Sequence, residues 1–355
     1  MELFSSVATP HCCLLRPARY NPPHTKAMKK LIPFLTLIFA LNLAGAADDK
    51  ATYATPEAAA GNPDFAIQGE YKGDGVDGSG NNVQAGVQIV ALGKGMFSAT
   101  VFQGGLPGDG WDKDTKWSYT GKRRGEDKAA FTSKDTMIVL HYKDGSILAA
   151  KGDRKVGQFK KITRKSPTLG AKPPKGATVL FNGKDTGKLT KPRITDDGLL
   201  MEGVMTKDAY GDFKLHLEFR LPFMPAARGQ ARANSGVYLQ RRYETQILDS
   251  FGLEQKANDC GGLYKQKAAD LNMCFPPLTW QSYDIDFTAA RFDDDGKKTK
   301  GALITVKHNG VVIHDYYELK NKTGAGQKES PMPLPILLQN HGNPVRFRNY
   351  WILKK

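Results

Sequence analysis

Residues 213–220 alternate strictly. Phe213, Leu215, Leu217 and Phe219 are apolar, and Lys214, His216, Glu218 and Arg220 are polar. Side chains on a strand point alternately to its two faces, so this period predicts a half-buried antiparallel strand with a solvated His216. The same alternation runs through residues 236–248, read as one continuous strand. Val237, Leu239, Tyr243 and Ile247 fall on one face; Gln240, Arg242, Glu244 and Gln246 fall on the other, and Asp249 follows. Planar amide, guanidinium and carboxylate groups repeating at about 7 Å suit the hydroxyls of a sugar. An ordinary exposed sheet face would look the same.

Short alternating segments recur along the chain. Between 63 and 164 they lie at 65–71, 83–90, 96–102, 129–131, 137–142, 146–150 and 159–162, separated by Gly and Asp turns such as Lys143-Asp144-Gly145. No helical period is sustained, and a small antiparallel barrel or sandwich is the natural closure. Residues 165–176 are rich in Pro and Lys and read as an extended, solvated linker. From 177 to 355 at least eight further strands are expected, including a hairpin at Asn309-Gly310. The absence of a βαβ pattern points to a jelly-roll sandwich. The fold class is therefore all-β, with a small antiparallel domain ahead of a sandwich.

The N-terminal end carries a different pattern. Met28-Lys29-Lys30, the apolar run 31–43 and Ala44-Gly45-Ala46 have the form of a secretory signal peptide cleaved after Ala46. The run is too short to span a bilayer, and no other segment would span one after cleavage. Residues 1–27 then read as an upstream extension, with Met28 the expected start and 47–62 a flexible lead. The protein is expected to be exported, periplasmic or extracellular. Removing 1–46 takes away five of 51 basic residues and one of 36 acidic ones, leaving 46 against 35 and a net charge of +11. The cations are scattered in small groups such as Lys122-Arg123-Arg124, without a zinc finger, RNP-like motif or basic helix, so nucleic acid is not an expected partner. Nothing in the sequence sets an oligomeric state. Cys260 and Cys274 remain, and an oxidising compartment favours a disulfide between them over two buried thiols.

Several motifs are weighed for chemistry. The glycine-rich stretch 104–112 is no phosphate loop, because no Gly-Lys-Ser/Thr and no helix follow it; Trp111 within it reads as a lid on its own core. Asp293-Asp294-Asp295-Gly296 lacks the alternate spacing and distal Glu of a calcium loop. His308 and His314 flank the Asn-Gly hairpin and read as structural. Four constellations remain: Glu244-x-Gln246-x-x-Asp249, Gln339-Asn340-His341-Gly342, Asn234-Ser235-Gly236, and the block from Cys260 to Tyr264.

Leu180-Phe181-Asn182-Gly183-Lys184-Asp185, Gly211-Asp212-Phe213, Asn234-Ser235-Gly236-Val237-Tyr238, Tyr243-Glu244-Thr245-Gln246-Ile247-Leu248-Asp249-Ser250, Leu338-Gln339-Asn340-His341-Gly342 and Val345-Arg346-Phe347-Arg348-Asn349 occur in that order. As an ordered set, over about 176–354, they resemble the 3-keto-disaccharide hydrolase domain family, once a domain of unknown function. One departure is Gly187-Lys188-Leu189, where family members often carry an aromatic residue. The resemblance implies a concanavalin A-like lectin/glucanase sandwich that cleaves glycosidic bonds of 3-keto-sugars, so the expected partner is a carbohydrate. A C3 ketone acidifies the C2 proton; a base removes it, the C1 substituent leaves by elimination, and water adds. Glu244, His341 and Asp249 are the candidate base and acid. Arg242, Gln246, Gln339, Gln240, Asn234 and Tyr264 are the candidate substrate contacts. No cofactor motif is present; a divalent ion on Glu244, His341 or Asp249 would be an enolate stabiliser. Two alternatives stay open. One is two-carboxylate hydrolysis by Glu244 and Asp249, which a regular strand places on opposite faces. The other is a carbohydrate-binding module without turnover. The catalytic reading requires Glu244, Gln246 and His341 to share one open trough.

Overall fold

The computed structural model describes residues 51–77 and 79–355. The expected signal peptide and the extension 1–27 lie outside the described residues. The stretch expected to be a flexible lead contains helix α1 (Pro56–Ala59), and α2 (Pro63–Ile67) follows. Each begins with Pro, and each is capped by the residue before it: Thr55 Oγ1 accepts from Ala58 N and Asn62 Oδ1 from Asp64 N. Pro removes a donor that would be orphaned there, and the caps satisfy another, so both short turns are stable despite the lack of helical period.

Eight strands then form a closed antiparallel barrel in sequence order: β1 (Gly69–Val76), β2 (Asn82–Ala91), β3 (Met96–Gln103), β4 (Lys116–Arg123), β5 (Lys128–Thr132), β6 (Ile138–Lys143), β7 (Ser146–Lys151) and β8 (Arg154–Ile162), which pairs back onto β1. β4 escapes the apolar pattern because Lys116, Ser118, Thr120 and Lys122 occupy its outer face and only Trp117 and Tyr119 are large on the inner one. Tyr71, Phe97, Phe131 and Phe159 fill one end of the barrel, where the Tyr71 hydroxyl donates to Ile67 O of α2. Trp111 lies edge-on to Phe102, with centroids 5.0 Å apart, and donates Nε1–H to Thr115 O, so it is a lid and not a free platform.

The remaining chain forms two large antiparallel sheets and a two-stranded one, Arg291–Phe292 with Lys298–Lys300. The five-stranded sheet has the spatial order Leu189–Thr190, Val204–Thr206, Leu337–Leu338, Ser235–Leu239, Tyr243–Ile247. The larger sheet has the order Leu200–Met201, Arg346–Lys354, Phe213–Arg220, Trp280–Thr288, Ala302–His308, Val311–Leu319, with Thr178–Phe181 added on Arg346–Lys354. Phe213, Leu215, Leu217 and Phe219 from the larger sheet meet Val237, Leu239, Tyr243 and Ile247 from the smaller one in a single core. Barrel and sandwich belong to one compact unit. Val90 of the barrel enters the sandwich core and Phe223 of the sandwich enters the barrel core, while Arg164 pairs with Glu70.

Of the segment 165–176, expected to be solvated, residues 166–171 are fastened to the outer face of the larger sheet, and 172–176 are exposed. Thr168 Oγ1 donates to Asp284, Gly170 N donates to Glu218, and Ala171 O accepts from Asn349 and Trp351. It covers His216, which is fully buried rather than solvated, bonded to Asp284 at 2.6 Å and stacked on Trp351. Burial pulls the His216 pKa down, but Asp284 and Glu218 outweigh it and hold it above the ordinary value. Glu218 is pushed up by burial and then brought down to about 2 by donors from His216, Asn349, Gly170 and Arg348.

The pairing anticipated for Cys260 and Cys274 is not made. Both are free and buried. Cys260 Sγ contacts the Tyr283 hydroxyl at 3.3 Å and Cys274 donates towards Leu248 O, so each thiol has a polar partner in the core. Among the described residues no helix is long and apolar enough to cross a membrane.

Candidate active site around Glu244

The polar row does not lie on one strand. The chain turns back at Gln240 and Arg241, both left-handed with φ of 50° and 52°, and Arg242 N donates to Leu239 O to close the turn. Ser235–Leu239 and Tyr243–Ile247 are thus the arms of a hairpin, with Tyr238 opposite Glu244 and Gly236 opposite Gln246. Within the second arm the predicted alternation is kept: Tyr243 and Ile247 enter the core, while Glu244 and Gln246 face away from it. Gln339 joins that face, because its N–H donates to Gly236 O on the neighbouring strand and Leu338 beside it points into the core.

Glu244 is the centre of this face. Its Oε2 accepts from the Tyr238 hydroxyl at 2.7 Å. Its Oε1 lies over the Gly236 backbone, where a Cβ would approach to 2.3 Å. Only glycine leaves room for the carboxyl there, which is a physical reason for Gly236. At Gly324, with φ of 34°, a Cβ would run into the Tyr264 ring at 2.9 Å and lie 3.9 Å from Oε2, and Thr323 Oγ1 accepts the Glu244 N–H. Glu244 is 3% exposed. Burial raises its pKa to about 7, against a smaller lowering by the Tyr238 hydroxyl. A carboxyl poised there exchanges protons near neutral pH, as a general acid or base must.

The expected open trough shared with His341 is not formed. Glu244 and Gln246 are buried, whereas His341 is exposed on the turn after Gln339 and makes no hydrogen bond or ion pair among the described residues. Asp249 is also elsewhere: Arg232 Nε donates to it at 2.6 Å, with both side chains almost completely buried. A carboxylate held in such a pair is a structural anchor, so Glu244 and Asp249 do not form a two-carboxylate site. Among the described residues no group of three His, Cys, Asp or Glu side chains is placed to hold a metal ion, and Glu244, His341 and Asp249 do not form one. Arg242 is turned to the loop 328–332, donating to Lys328 O, Ser330 Oγ and Met332 O, and Gln240 bridges it to Tyr210 O. Both are staples of the hairpin turn and not sugar contacts. Gln246 donates to Gln230 and Asn258 O.

Three candidates remain near Glu244 with unspent polar capacity. The Gln339 amide makes no hydrogen bond among the described residues, and its Oε1 is buried. Asn234 donates to Gln230, but its Oδ1 is buried without a partner among the described residues. Tyr264 is half-buried beside Gly324. Unpaired buried polar atoms in a native fold are costly, which leaves Gln339 and Asn234 as candidates for holding a polar ligand.

The sequence profile of the 3-keto-alpha-glucoside-1,2-lyase-like domain matches residues 176–353. The chain belongs to that family. Three crystal structures from Parabacteroides distasonis ATCC 8503, each described as a "putative glycosyl hydrolase", are similar to part of it. One is 33% identical over 51% of this chain and 85% of its own, with a TM-score of 0.48. The second is 18% identical over 51% and 94%, with a TM-score of 0.38. The third is 23% identical over 50% and 99%, with a TM-score of 0.36. No curated protein matches the chain.

The 3-keto-alpha-glucoside-1,2-lyase-like domain is thus the two-sheet sandwich that holds Glu244. Two of its site residues escape a sequence reading that treats 236–248 as one strand: Tyr238, the donor to Glu244, and Gly236, the floor beneath it. On a continuous strand Tyr238 would share the face of Glu244 but stand about 20 Å from it, and only the turn brings the two opposite each other. The signal for that turn was weak, because Gln and Arg rarely adopt the left-handed conformation that Asn-Gly advertises.

Proposed function

We propose that the sandwich cleaves 3-keto-glycosides by removing the C2 proton, with Glu244 as the base. The reading rests on one observation: a buried carboxyl raised to about 7, with Oε2 held by Tyr238 and Oε1 not bonded to any described residue. The C2–H bond breaks and its proton passes to Oε1. The electron pair forms the enolate of the C3 ketone, for which the unspent Gln339 amide N–H is a donor. The enolate then reforms the carbonyl as the C1–O bond breaks, and the leaving oxygen takes the proton back from Glu244. The result is a C1=C2 enol ether and a free alcohol, and addition of water across that double bond gives the 3-keto-sugar. The family description, a 3-keto-alpha-glucoside 1,2-lyase, supports this elimination step. One base suffices, which agrees with the removal of Asp249 into its ion pair.

The test incubates the purified protein with 3-keto-glucosides and with their unoxidised parents in deuterated water. Cleavage of the keto-sugars with deuterium entering C2, and both abolished in Glu244→Gln while affinity stays within about tenfold, is the expected outcome. Equal cleavage of the unoxidised parents would overturn the keto-sugar assignment. A protein that binds the sugars with no turnover in either form would be a binding module.

A further inference from the structure

The barrel is filled at only one end. Beyond Phe159 and Leu140, towards the end away from α2, its interior is an open-mouthed cavity of about 690 Å³. An eight-stranded barrel is just wide enough either to be plugged by side chains or to hold one small ligand. Here the residues on the inner face at this end are small: Gly75, Ala85 and Ala149 stand where larger side chains would close the space. Val83, Val101, Ile138 and Val156 make the wall apolar, with the rings of Trp117 and Tyr119 at its side. Native interiors seldom leave voids of more than a few atoms, and this volume is that of a ligand pocket.

The mouth has a different chemistry. Lys134, Lys151 and Arg154 line it, and none has a carboxylate partner within ion-pair distance among the described residues. Two carboxylates are also present. Asp77 is tied into its own turn, accepting from Ser79 N, Asn81 N and Asn81 Nδ2, and with Asp135 it stands against three cations, so the rim keeps a net positive charge. Met137 stands at the same rim, 74% exposed, an apolar side chain beside the entrance. An apolar cup under a cationic rim matches a molecule with an aliphatic body and an anionic head.

We propose that the barrel is a binding site for a long-chain aliphatic anion, its chain in the cup and its head at Lys134, Lys151 and Arg154. The site is separate from Glu244 and does not depend on the reaction proposed there.

The experiment titrates the full protein with a dansyl-labelled long-chain fatty acid and with its methyl ester, following dansyl emission and energy transfer from Trp117. The acid is expected to bind saturably and more tightly than the ester. Replacing Lys134, Lys151 and Arg154 together by Gln touches only exposed side chains. It should weaken the acid at least tenfold and leave the ester unchanged. Gly75→Phe fills the cup on a backbone that tolerates a side chain, since a Cβ there meets its nearest neighbour at an ordinary 3.7 Å. It should weaken both ligands, with an unchanged circular dichroism spectrum as the folding control. Absence of saturable binding, or binding that survives Gly75→Phe in the folded variant, overturns the site. Equal affinity for acid and ester, with no response to the triple substitution, overturns the anionic head.

Discussion

Tyr238→Phe isolates the link between burial and proton transfer at Glu244. The substitution removes one hydroxyl, the donor to Glu244 Oε2 at 2.7 Å, and keeps the ring. A hydrogen bond to a charged group contributes about 1.5–3 kcal/mol, and about 1.4 kcal/mol corresponds to one pKa unit. Without this donor the carboxyl, already raised to about 7 by burial, should titrate about one to two units higher. If Glu244 is the base, the acid limb of kcat/KM against pH moves by the same amount. At pH 7 the base form falls from about one half to between about a tenth and a hundredth, a rate loss of roughly fivefold to fiftyfold. The loss should fade as pH rises above the new midpoint. The assay is initial-rate cleavage of a 3-keto-glucoside between pH 5 and 10. An acid limb that stays in place, or a loss equally large at every pH, would refute the reasoning.

Glu244→Gln should also flatten a stability slope. The folded pKa lies above the ordinary 4.5, so the group's contribution is full below that value and is lost as pH rises through about 7, by about 3 kcal/mol; urea unfolding at pH 4 and pH 8 should show that much relative gain for the variant at the higher pH. Gly236→Ala should abolish cleavage while the protein stays folded, because its Cβ would occupy the space of Oε1; retained activity would show that the carboxyl acts from another position. Asp249→Asn should cost about 3–5 kcal/mol by stranding the buried Arg232, whereas His341→Ala should change stability by less than about 0.5 kcal/mol, both read from thermal unfolding. Acid should destabilise the sandwich in two stages. The depressed His308 (about 3) and His314 (about 4) lose their contribution as pH falls below 6.5, and Glu218 (about 2) loses its own, about 3 kcal/mol, as pH falls below 4.5; a urea midpoint that rose on acidification would contradict both.

The all-β class was legible because alternation is a local property. Phe213 to Phe219 dictates which face of its strand is buried whatever lies beneath it. Asn309-Gly310, with φ of 50° and 79°, makes the tight hairpin that its residue types demand. The ordered motifs between 176 and 354 were enough to suggest the family, and the alternation placed Glu244 and Gln246 on the polar side of a strand, while Gln339 joins them only through strand pairing. The barrel was legible as a set of short strands that barrel or sandwich could close; the choice of barrel and its half-empty interior were not, since those depend on β8 returning to β1 across the whole domain.

Other features depended on contacts between distant parts of the chain. The alternation that exposed His216 said nothing about Thr168 to Ala171 folding over it, and the carboxylates in Glu244-x-Gln246-x-x-Asp249 look equivalent until Arg232 takes one of them. Sequence alone determined which side chains could be polar neighbours along a strand, because the two-residue repeat of an extended backbone is set by its own geometry. Tertiary structure decided which carboxyl lost its water and which gained a cation. Burial and pairing are properties of the surroundings, and they set Glu244 near neutrality while Asp249 became an anchor.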